Sequence, residues 1–543
     1  MNTTMPATPW WQGATIYQIY PLSFADSNGD GIGDLRGVIS HLDHVASLGV
    51  DAIWLCPFHE TPLLDCGYDT TNAKAVDPRF GQLSDFHDLV REAHARGLKV
   101  IVDQVYTYTH EHHPWFTASR ASRQGDKQDW YVWADAKPDG SAPNNWLSIF
   151  GGPAWEWDCS RRQYYMTTFL PGMPHLDGNH PEVRRELLDV ARFWFDQGAD
   201  GLRLDVINLL ALDPQLRSNP AVAGSDPKDM PLVPIYAQQM LYDGAQPQNL
   251  EFIASLRALA DTYRKDTGGS FLLGEVSNPD VIAEGRHYSQ GSERLHSCYH
   301  VLAGYGATFS AAALRADLES WNDDTGWPTW SFGNHDTMRP MTRLAGPNPP
   351  RELGALLVAI LACLRGTVLL YQGDELGLPC GQVPYDKLRD PATKRFFGHY
   401  MQRDGARTPM PWWGSEAQAG FSSAATTWLP LGVGHAALAV DVQEGEAGST
   451  LRQSRELLAL RRAQPALRAG TLHFIDSPEP VLAFERRLGS TRLACAFNLS
   501  PAPAALPSAW PAASASLLGM PHPNGLLPAW SFAVLRLPDV RSG

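Results

Sequence analysis

The chain has 543 residues, of which 44% are hydrophobic, and this length suffices for one large domain with smaller attachments. Its formal net charge of −14 argues against nucleic-acid binding, because proteins that bind a phosphate backbone usually carry a basic stripe. No run of about 18 apolar residues is present, and the first residues lack a basic segment followed by an apolar run. We therefore expect neither a membrane span nor a signal peptide.

Strand-like apolar segments alternate with helical patterns along the chain, which is typical of parallel strands joined by crossover helices. Strands are predicted at residues 14–20, 51–58, 99–105, 201–206, 270–276, 295–302, 327–334 and 367–375. Helices are predicted at residues 35–49, 83–97, 181–198, 250–265, 352–366 and 449–465. Eight strands, most of them followed by a helix, predict an α/β fold of the (β/α)8 TIM-barrel type.

Two segments depart from this alternation. Residues 106–180 are rich in Trp, Tyr, Pro and Gly and show no long helical pattern, so we expect a subdomain inserted after strand three. Residues 467–543 hold short apolar runs separated by Pro, Gly and Ser, which predicts a C-terminal antiparallel β-sheet domain. The barrel itself is then expected to comprise residues 1–105 and 181–466.

The cysteine pattern bears on the compartment. Seven cysteines are spread along the chain, and none of them forms a CxxC pair. An odd count with wide spacing favours reduced thiols, so we predict a cytoplasmic protein.

Three carboxylates lie in or directly after strand-like runs. Asp205 ends the run in GLRLDV, Glu275 lies in LLGEVSN, and Asp336 lies in SFGNHDTM. In a strand–helix barrel the active site forms at the C-terminal ends of the strands. Because glycosidic bonds are cut by paired carboxylates in different environments, these acids predict a glycoside-cleaving site.

Four short strings resemble the conserved regions of glycoside hydrolase family 13, the α-amylase family. They are DQVYTY (103–108), GLRLDVIN (201–208), GEVS (274–277) and GNHD (333–336). The opening segment 10–38 and the string APNNWLSIFGGPAWEWD (142–158) resemble the bacterial α-glucosidase branch, and the likeness covers essentially the whole chain. It implies a retaining, exo-acting α-glucosidase for short α-glucosides and aryl glucosides, with transglucosylation as a side reaction.

The resemblance also implies a role for each acid. Asp205 would be the nucleophile, Glu275 the general acid/base, and Asp336 the third acid, which binds sugar hydroxyls. Arg203 lies two residues before Asp205 on the same strand, so both side chains point to one side. Its cation would keep the nucleophile ionised and oriented.

Further residues are implied to bind the substrate. His335 would hold the same hydroxyls as Asp336, and Tyr68 would offer its aromatic face to the sugar. Asp69 and Arg339 would pair and cap the far hydroxyl of the first sugar, which makes the enzyme exo-acting. Asp103 would support the arginine and the substrate.

Three positions bear on specificity. Tyr108 stands where the family normally has His, and we expect it to reshape the first sugar pocket or relax the demand for a 6-hydroxyl. His175 stands where relatives usually have Asp. Val206 follows the nucleophile, as in oligo-1,6-glucosidases, and favours tolerance of α-1,6 bonds. A glycosidase with an altered preference for the first sugar is therefore an alternative.

The segment DSNGDGIGD supplies oxygen atoms at alternating positions, as calcium loops do. The expected ligands are Asp26, Asn28, Asp30, the carbonyl of Ile32, and Asp34. Position 12 would be Gly37 instead of a bidentate Glu, so this loop is not an EF-hand. The resemblance implies a structural Ca²⁺ or Mg²⁺, and hard oxygen ligands suit both ions.

Two other functions stay open. One is an isomerase of the trehalose synthase type, which would retain the released sugar and reattach it. The other is a non-catalytic barrel similar to the ancillary subunits of amino-acid transporters, although those have an anchor and degenerate acids. We expect a small carbohydrate as partner, no nucleic acid or membrane, and a monomer or homodimer.

Overall fold

The computed structural model describes residues 8–224, 226–264, 268–304, 308–321, 325–399, 402–508, 510, 514–519 and 525–538. Eight parallel strands form a closed barrel in which β8 pairs with β1. They are β1 Thr15–Ile19, β2 Ala52–Leu55, β3 Lys99–Val105, β4 Gly201–Asp205, β5 Phe271–Gly274, β6 Ser297–Val301, β7 Pro328–Ser331 and β8 Thr367–Tyr371. The barrel confirms the predicted fold class.

The strands are short apolar runs because both of their faces are covered. All five residues of β4 are buried, including Arg203 and Asp205 at alternate positions. Alternation directs these two side chains to the same side of the strand. The barrel thus brings charged groups of β4 together while Leu202 and Leu204 pack on the other side.

Helices surround the barrel; each of the six predicted helical segments overlaps an observed helix, whereas Val281–Ser289 and Ala311–Glu319 were not predicted. The longer ones are Leu83–Ala95, Pro181–Asp196, Pro247–Ala260, Val281–Ser289, Ala311–Glu319, Glu352–Cys363 and Thr450–Ala463. Shorter ones are Pro21–Phe24, Leu35–Ser40, Leu42–Ser47, Pro340–Ala345, Pro391–Arg395, Arg403–Ala406, Val440–Gly445 and Pro465–Ala469. The single helix predicted at 35–49 is divided at His41, whose backbone leaves the helical region at φ −114° and ψ 10°. The His41 ring packs at 3.9 Å from the ring of Trp412, which holds the break.

The segment after β3 folds as a small sheet with one helix. Strands Trp133–Ala134, Trp155–Asp158 and Gln163–Met166 pair antiparallel. Helix Pro114–Ala121 begins after His113, whose ring accepts a hydrogen bond from the Trp115 amide. A two-stranded hairpin, His59–Glu60 with Asn72–Val76, follows β2. Both units follow barrel strands and so lie in the loops at the strands' C-terminal ends.

The C-terminal unit is an antiparallel sheet. Its strands are β9 Thr471–Phe474, β10 Val481–Leu488, β11 Thr491–Asn498, β12 Ala515–Leu518 and β13 Phe532–Arg536, in the order β9-β10-β11-β13-β12. Ala504–Ala505 pairs with Leu526–Leu527 as a separate two-stranded ribbon. Phe484 and Phe497 belong to the same hydrophobic core as the barrel. No helix within the described ranges is long and apolar enough to cross a membrane.

Candidate active site

Two of the predicted acids end neighbouring barrel strands. Asp205 is the last residue of β4, and Glu275 directly follows β5, its parallel neighbour. The Glu275 amide donates to the Leu204 carbonyl at 2.9 Å, and the Glu275 carbonyl accepts from the Ile207 amide at 3.1 Å. Backbone hydrogen bonds therefore fix both acids at the edge where barrel enzymes carry their active sites.

One guanidinium joins the two acids. Arg203 is fully buried, and its Nη1 donates to Oδ1 of Asp205 at 2.8 Å. Its Nη2 donates to Oε2 of Glu275. Nη1 also lies 2.9 Å from Oδ1 of Asp103, at the predicted position beside the arginine. Because Asp205 and Glu275 bind the two ends of one planar group, they face a common space.

Two tyrosines hold the remaining carboxylate oxygens. The Tyr108 hydroxyl donates to Oδ2 of Asp205 at 3.0 Å. The Tyr299 hydroxyl, from β6, donates to Oε1 of Glu275 at 2.7 Å. Every carboxylate oxygen of the pair therefore accepts a hydrogen bond. Tyr299 was not predicted, because nothing in the string SCYHV distinguishes it from a core tyrosine.

The charges in this cluster depend on each other. Burial raises the pKa of the Asp205 carboxyl, while the Arg203 guanidinium lowers it. Burial also raises the pKa of Asp103 to about 6, again against the effect of Arg203. A single cation thus offsets part of the desolvation of several acids, and the pKa of Asp205 stays above its usual value.

The third acid occupies a strongly positive environment. Asp336 follows β7, and its Oδ1 accepts from Arg403 Nη1 at 2.9 Å and from Arg407 Nη2 at 2.6 Å. Its Oδ2 lies 3.1 Å from Nε2 of His335. Burial raises the pKa of Asp336, but the guanidinium groups of Arg403 and Arg407 hold it well below its usual range. Asp336 is therefore a fixed negative charge at the pocket.

His335 is held as a neutral ring between two tyrosines. Its ring centroid lies 5.6 Å from that of Tyr20 and 5.1 Å from that of Tyr68, and both pairs are stacked. Gln18 Nε2 lies 2.8 Å from Nδ1, which assigns the proton to Nε2. Burial holds the pKa of His335 well below its usual range. His335 can therefore donate from Nε2 without carrying a charge.

Tyr68 supports the charged cluster through its hydroxyl. That hydroxyl donates to Oδ2 of Asp103 at 3.0 Å, and Trp54 Nε1 donates to the same oxygen at 3.0 Å. One face of the Tyr68 ring is covered by His335. Its predicted contact with a sugar stays a prediction.

Within the described residues Asp69 and Arg339 form no ion pair with each other, and their predicted contact with a sugar hydroxyl stays a prediction. The Asp69 carboxylate accepts from the Thr61 hydroxyl at 2.9 Å and from the Leu64 amide at 2.8 Å, so it organises its own loop. Arg339 donates to the Gln372 carbonyl at 2.9 Å. Asp69 is thus satisfied by its own loop, whereas Nε and Nη2 of the buried Arg339 have no hydrogen-bond partner among the residues that the structure describes.

A different acid, four residues earlier, meets an arginine. Asp65 Oδ1 accepts from Arg403 Nη2 at 2.8 Å, and Arg403 also binds Asp390 and Asp336. Burial raises the pKa of Asp65 to about 6, while Arg403 lowers it. Sequence reasoning missed this group, although the spacing of the arginines in QRDGARTP places Arg403 and Arg407 one helical turn apart.

The two unusual positions, Tyr108 and His175, are direct neighbours. They form an antiparallel bridge between the end of β3 and the inserted subdomain. The Tyr108 ring packs edge-on against Phe169, with centroids 5.1 Å apart, and shares an apolar cluster with Met173 and Val206. Tyr108 therefore forms part of an apolar wall beside the predicted nucleophile.

His175 is buried, and both of its ring nitrogens lie within hydrogen-bond distance of protein oxygen atoms. Its Nδ1 lies 2.6 Å from the Thr168 hydroxyl, and its Nε2 lies 3.3 Å from the Leu210 carbonyl. Burial lowers the pKa of His175 to about 4, so the ring is neutral near pH 7. It thereby links the inserted subdomain to the loop after β4.

Val206 adopts a conformation that a β-branched residue rarely takes. Its backbone lies at φ 33° and ψ 46°, in the left-handed region. Its amide is 3.4 Å from Oε2 of Glu275. Such strain is typical of functional sites, and here it directs the backbone after Asp205 toward the second acid.

The predicted metal loop has a defined conformation. Asp26, Asn28 and Asp30 each accept from the amide two residues further along, at 2.8 to 3.0 Å. Asp34 instead caps a helix by accepting from the Gly37 amide at 2.7 Å and also binds the Ser27 amide at 2.9 Å. Within the described ranges no three His, Cys, Asp or Glu side chains form a metal-holding group. The loop oxygens are the hard donors that Ca²⁺ takes, and the ion stays a prediction.

Known proteins resemble this chain over its length. The sequence model of the protein family Alpha amylase, catalytic domain, matches residues 18–470. A probable alpha-glucosidase of Rhizobium meliloti (strain 1021) is 45% identical over 503 residues, covering 91% of this chain and 90% of that protein. An oligo-1,6-glucosidase of Parageobacillus thermoglucosidasius is 33% identical over 527 residues, covering 90% of each.

Solved structures also resemble this chain. The crystal structure of the alpha-glucosyl transfer enzyme XgtA superposes with a TM-score of 0.92 and 43% identity, covering 98% of this chain and 100% of that one. A trehalose-6-phosphate hydrolase of Bacillus licheniformis superposes with a TM-score of 0.84 and 26% identity, covering 98% and 100%. The chain is thus matched over most of its length in both sequence and overall structure. The chain belongs to the alpha-amylase family of glycoside hydrolases.

Proposed function

We propose that the protein is a retaining, exo-acting α-glucosidase that also transfers the glucosyl group to acceptors other than water. The observation that carries the proposal is the shared guanidinium of Arg203, which fixes Asp205 and Glu275 at one space. Retaining glycosidases need two carboxyl groups about 5–5.5 Å apart, one to attack and one to move a proton. The names of the relatives, alpha-glucosidase and oligo-1,6-glucosidase, support glucose as the released sugar.

In the first step Asp205 attacks the anomeric carbon, and the bond from that carbon to the leaving oxygen breaks. Glu275 gives its proton to the leaving oxygen. In the second step an acceptor oxygen bonds to the anomeric carbon and its proton passes to Glu275. The bond to Asp205 then breaks and the carboxylate is restored.

The floor of the pocket supports action on a terminal sugar. Asp65, Asp336 and Asp390 converge on the buried guanidinium of Arg403. We infer that this network closes the end of the site beyond the third acid with charged groups that can bind hydroxyls. A closed far side leaves room for one sugar there, so the chain end is the expected point of attack.

Transfer and linkage tolerance have separate support. The relative XgtA is described as an alpha-glucosyl transfer enzyme, which supports transfer in this chain. Val206 next to the nucleophile supports tolerance of α-1,6 bonds, as in the oligo-1,6-glucosidases. Free cysteines at all seven positions support a reducing cytoplasm, and a monomer or homodimer is proposed.

The test is product analysis with maltose and isomaltose. Glucose with some longer transfer products supports the proposal, whereas trehalose without free glucose would replace it with the isomerase. A second arm compares nitrophenyl α-glucoside with nitrophenyl α-xyloside, which lacks the hydroxymethyl group at carbon five. Faster turnover of the xyloside would contradict glucose as the first sugar. It would support the alternative in which Tyr108 changes the preference for the first sugar.

A further inference from the structure

We propose that Tyr108 is a positioning residue for the nucleophile, which selects the attacking oxygen of Asp205 and speeds the step in which Asp205 leaves the sugar. The inference rests on the proposed function, because it concerns the same two-step reaction. Its starting point is the hydrogen bond from the Tyr108 hydroxyl to Oδ2 of Asp205, 3.0 Å long.

The hydroxyl is held in place by its surroundings. Tyr108 is only 2% exposed, and its ring meets Phe169 edge-on with centroids 5.1 Å apart. The backbone of Tyr108 is bridged to His175 of the inserted subdomain. Because the ring is buried and packed against Phe169, its hydroxyl is held beside Asp205, and the donor is pre-organised before substrate binds.

The two oxygens of Asp205 differ in what an attack would cost. Oδ1 is bound at 2.8 Å by Arg203 Nη1, which also binds Asp103. Attack by Oδ1 would weaken a buried hydrogen bond in which donor and acceptor are both charged, whereas attack by Oδ2 would weaken one in which only the acceptor is charged. Among the described residues, Oδ2 accepts only from the neutral phenol of Tyr108. Oδ2 is therefore the attacking oxygen, and Tyr108 is the hydrogen-bond donor to this oxygen during the reaction.

The strength of this hydrogen bond changes during turnover. In the free enzyme Oδ2 is part of an anion and accepts strongly. When Oδ2 is bonded to the anomeric carbon it becomes an ester oxygen, which accepts weakly. Negative charge returns to Oδ2 as the sugar leaves for the acceptor. The hydroxyl therefore stabilises the free enzyme and the flanking transition states relative to the covalent intermediate.

The consequence is a distinctive pattern in the Tyr108→Phe variant. With nitrophenyl α-glucoside, kcat is expected to fall about tenfold because release from Asp205 slows, a loss typical of a hydrogen bond to a charged group. The ratio kcat/KM, which reports the first step, should change less than about threefold, so KM falls with kcat. Rapid mixing should show a burst of nitrophenol as the covalent intermediate accumulates.

Tyr106→Phe is the matched control. Tyr106 is buried two residues earlier, and its hydroxyl has no hydrogen-bond partner within the described part of the chain. Its removal should leave kcat and KM within about twofold of the wild-type values, because no hydrogen bond is lost. Should Tyr108→Phe fail to fold, 3-fluorotyrosine in place of Tyr108 keeps the shape and strengthens the donor. In that form kcat should rise, and an unchanged kcat would overturn the inference.

The outcomes separate this inference from the proposed function. If the wild-type protein turns over no α-glucoside, the proposed function fails. If the wild-type protein is active but Tyr108→Phe lowers kcat and kcat/KM equally, or changes neither, only the role of Tyr108 is rejected. A fall in kcat with a burst and a lower KM supports it.

Discussion

Buried arginines lie at both ends of the barrel, and they meet different partners. At the C-terminal ends of the strands, Arg203, Arg403 and Arg407 are paired with carboxylates. At the opposite end, Arg461 donates to the backbone carbonyls of Gly13, Ala362, Leu364, Gly366 and Leu467, at 2.6 to 3.1 Å. Gly366 directly precedes β8 and Gly13 lies two residues before β1, so Arg461 holds the point where the barrel closes.

The difference separates chemistry from stability. Carbonyl groups neither titrate nor react, so a guanidinium that satisfies five of them can only hold the chain together. Carboxylates crowded around a shared cation have perturbed ionisation and are available for chemistry. Substitutions at the two ends should therefore give opposite phenotypes.

The largest effect is expected at the catalytic end. Asp205→Asn removes the attacking anion, so kcat for nitrophenyl α-glucoside should fall on the order of 10⁴-fold, as it does when other enzymes lose a nucleophilic centre. The melting temperature should stay close to that of the wild type, because the amide retains the packing. Activity within about tenfold of the wild-type value would reject Asp205 as the nucleophile.

The mirror-image experiment is Arg461→Met at the opposite end. Leaving several buried carbonyls without a donor should lower the free energy of unfolding by about 3 kcal/mol or more. The kcat of the folded enzyme should be unchanged. Urea denaturation followed by fluorescence, together with activity at low temperature, measures both quantities.

Arg462→Met is the control for this substitution. Its side chain is 53% exposed and lies next to Arg461 on the same helix, so its loss should cost less than about 1 kcal/mol. An equal loss for the two variants would show that the carbonyl contacts of Arg461 do not stabilise the barrel closure.

A smaller effect should appear as a pH dependence of stability. Burial raises the pKa of Asp390, but Arg403 lowers it more, and the result is about 2 compared with 3.8 without these effects. Because the folded-state value is the lower one, the contribution is present above about pH 4 and is lost as the pH falls toward about 2. Asp390→Asn should cost about 2 kcal/mol at pH 6 and progressively less at acid pH.

Melting curves of the wild type and Asp390→Asn at several pH values measure this difference. The gap between the two should close as the pH is lowered. A gap that is constant between pH 6 and pH 3 would show that the Asp390 charge adds nothing to the network around Arg403.

The smallest effect concerns the loop that carries Asp26 and Asp30. After chelation, millimolar Ca²⁺ or Mg²⁺ should raise the melting temperature by a few degrees, because an ion that binds only the folded state stabilises it. Asp30→Ser should abolish this shift, while its own melting temperature without metal should be nearly unchanged. Equal shifts in both proteins would place the ion elsewhere.

The fold could be predicted from the sequence because it depends on the hydrophobic periodicity of the strands and helices. Each of the eight predicted strands contains an observed barrel strand, as 99–105 does for Lys99–Val105. The apolar runs and the helical patterns between them leave few other architectures. The break at His41 was not readable, because it depends on packing against Trp412, which lies far away in the chain.

The site was readable only where a motif marks it. Asp205, Glu275 and Asp336 stand in recognisable strings, and the structure brings all three to the same end of the barrel. Asp69 and Arg339 were assigned to the first sugar on resemblance and stay a prediction, whereas the pair of Asp65 and Arg403 was missed. Such pairs depend on how loops after β2 and β8 meet, which no local pattern reports. The role of the Tyr299 hydroxyl was missed because the sequence of its strand does not distinguish it from a core tyrosine.

The stereochemistry of the first product tests the central claim most directly. Proton NMR of nitrophenyl α-glucoside during the first minutes of turnover distinguishes α-glucose from β-glucose before the two interconvert. Two acids joined through Arg203, one attacking and one moving the proton, predict that α-glucose forms first. The first appearance of β-glucose would mean a single displacement by water and would contradict the account.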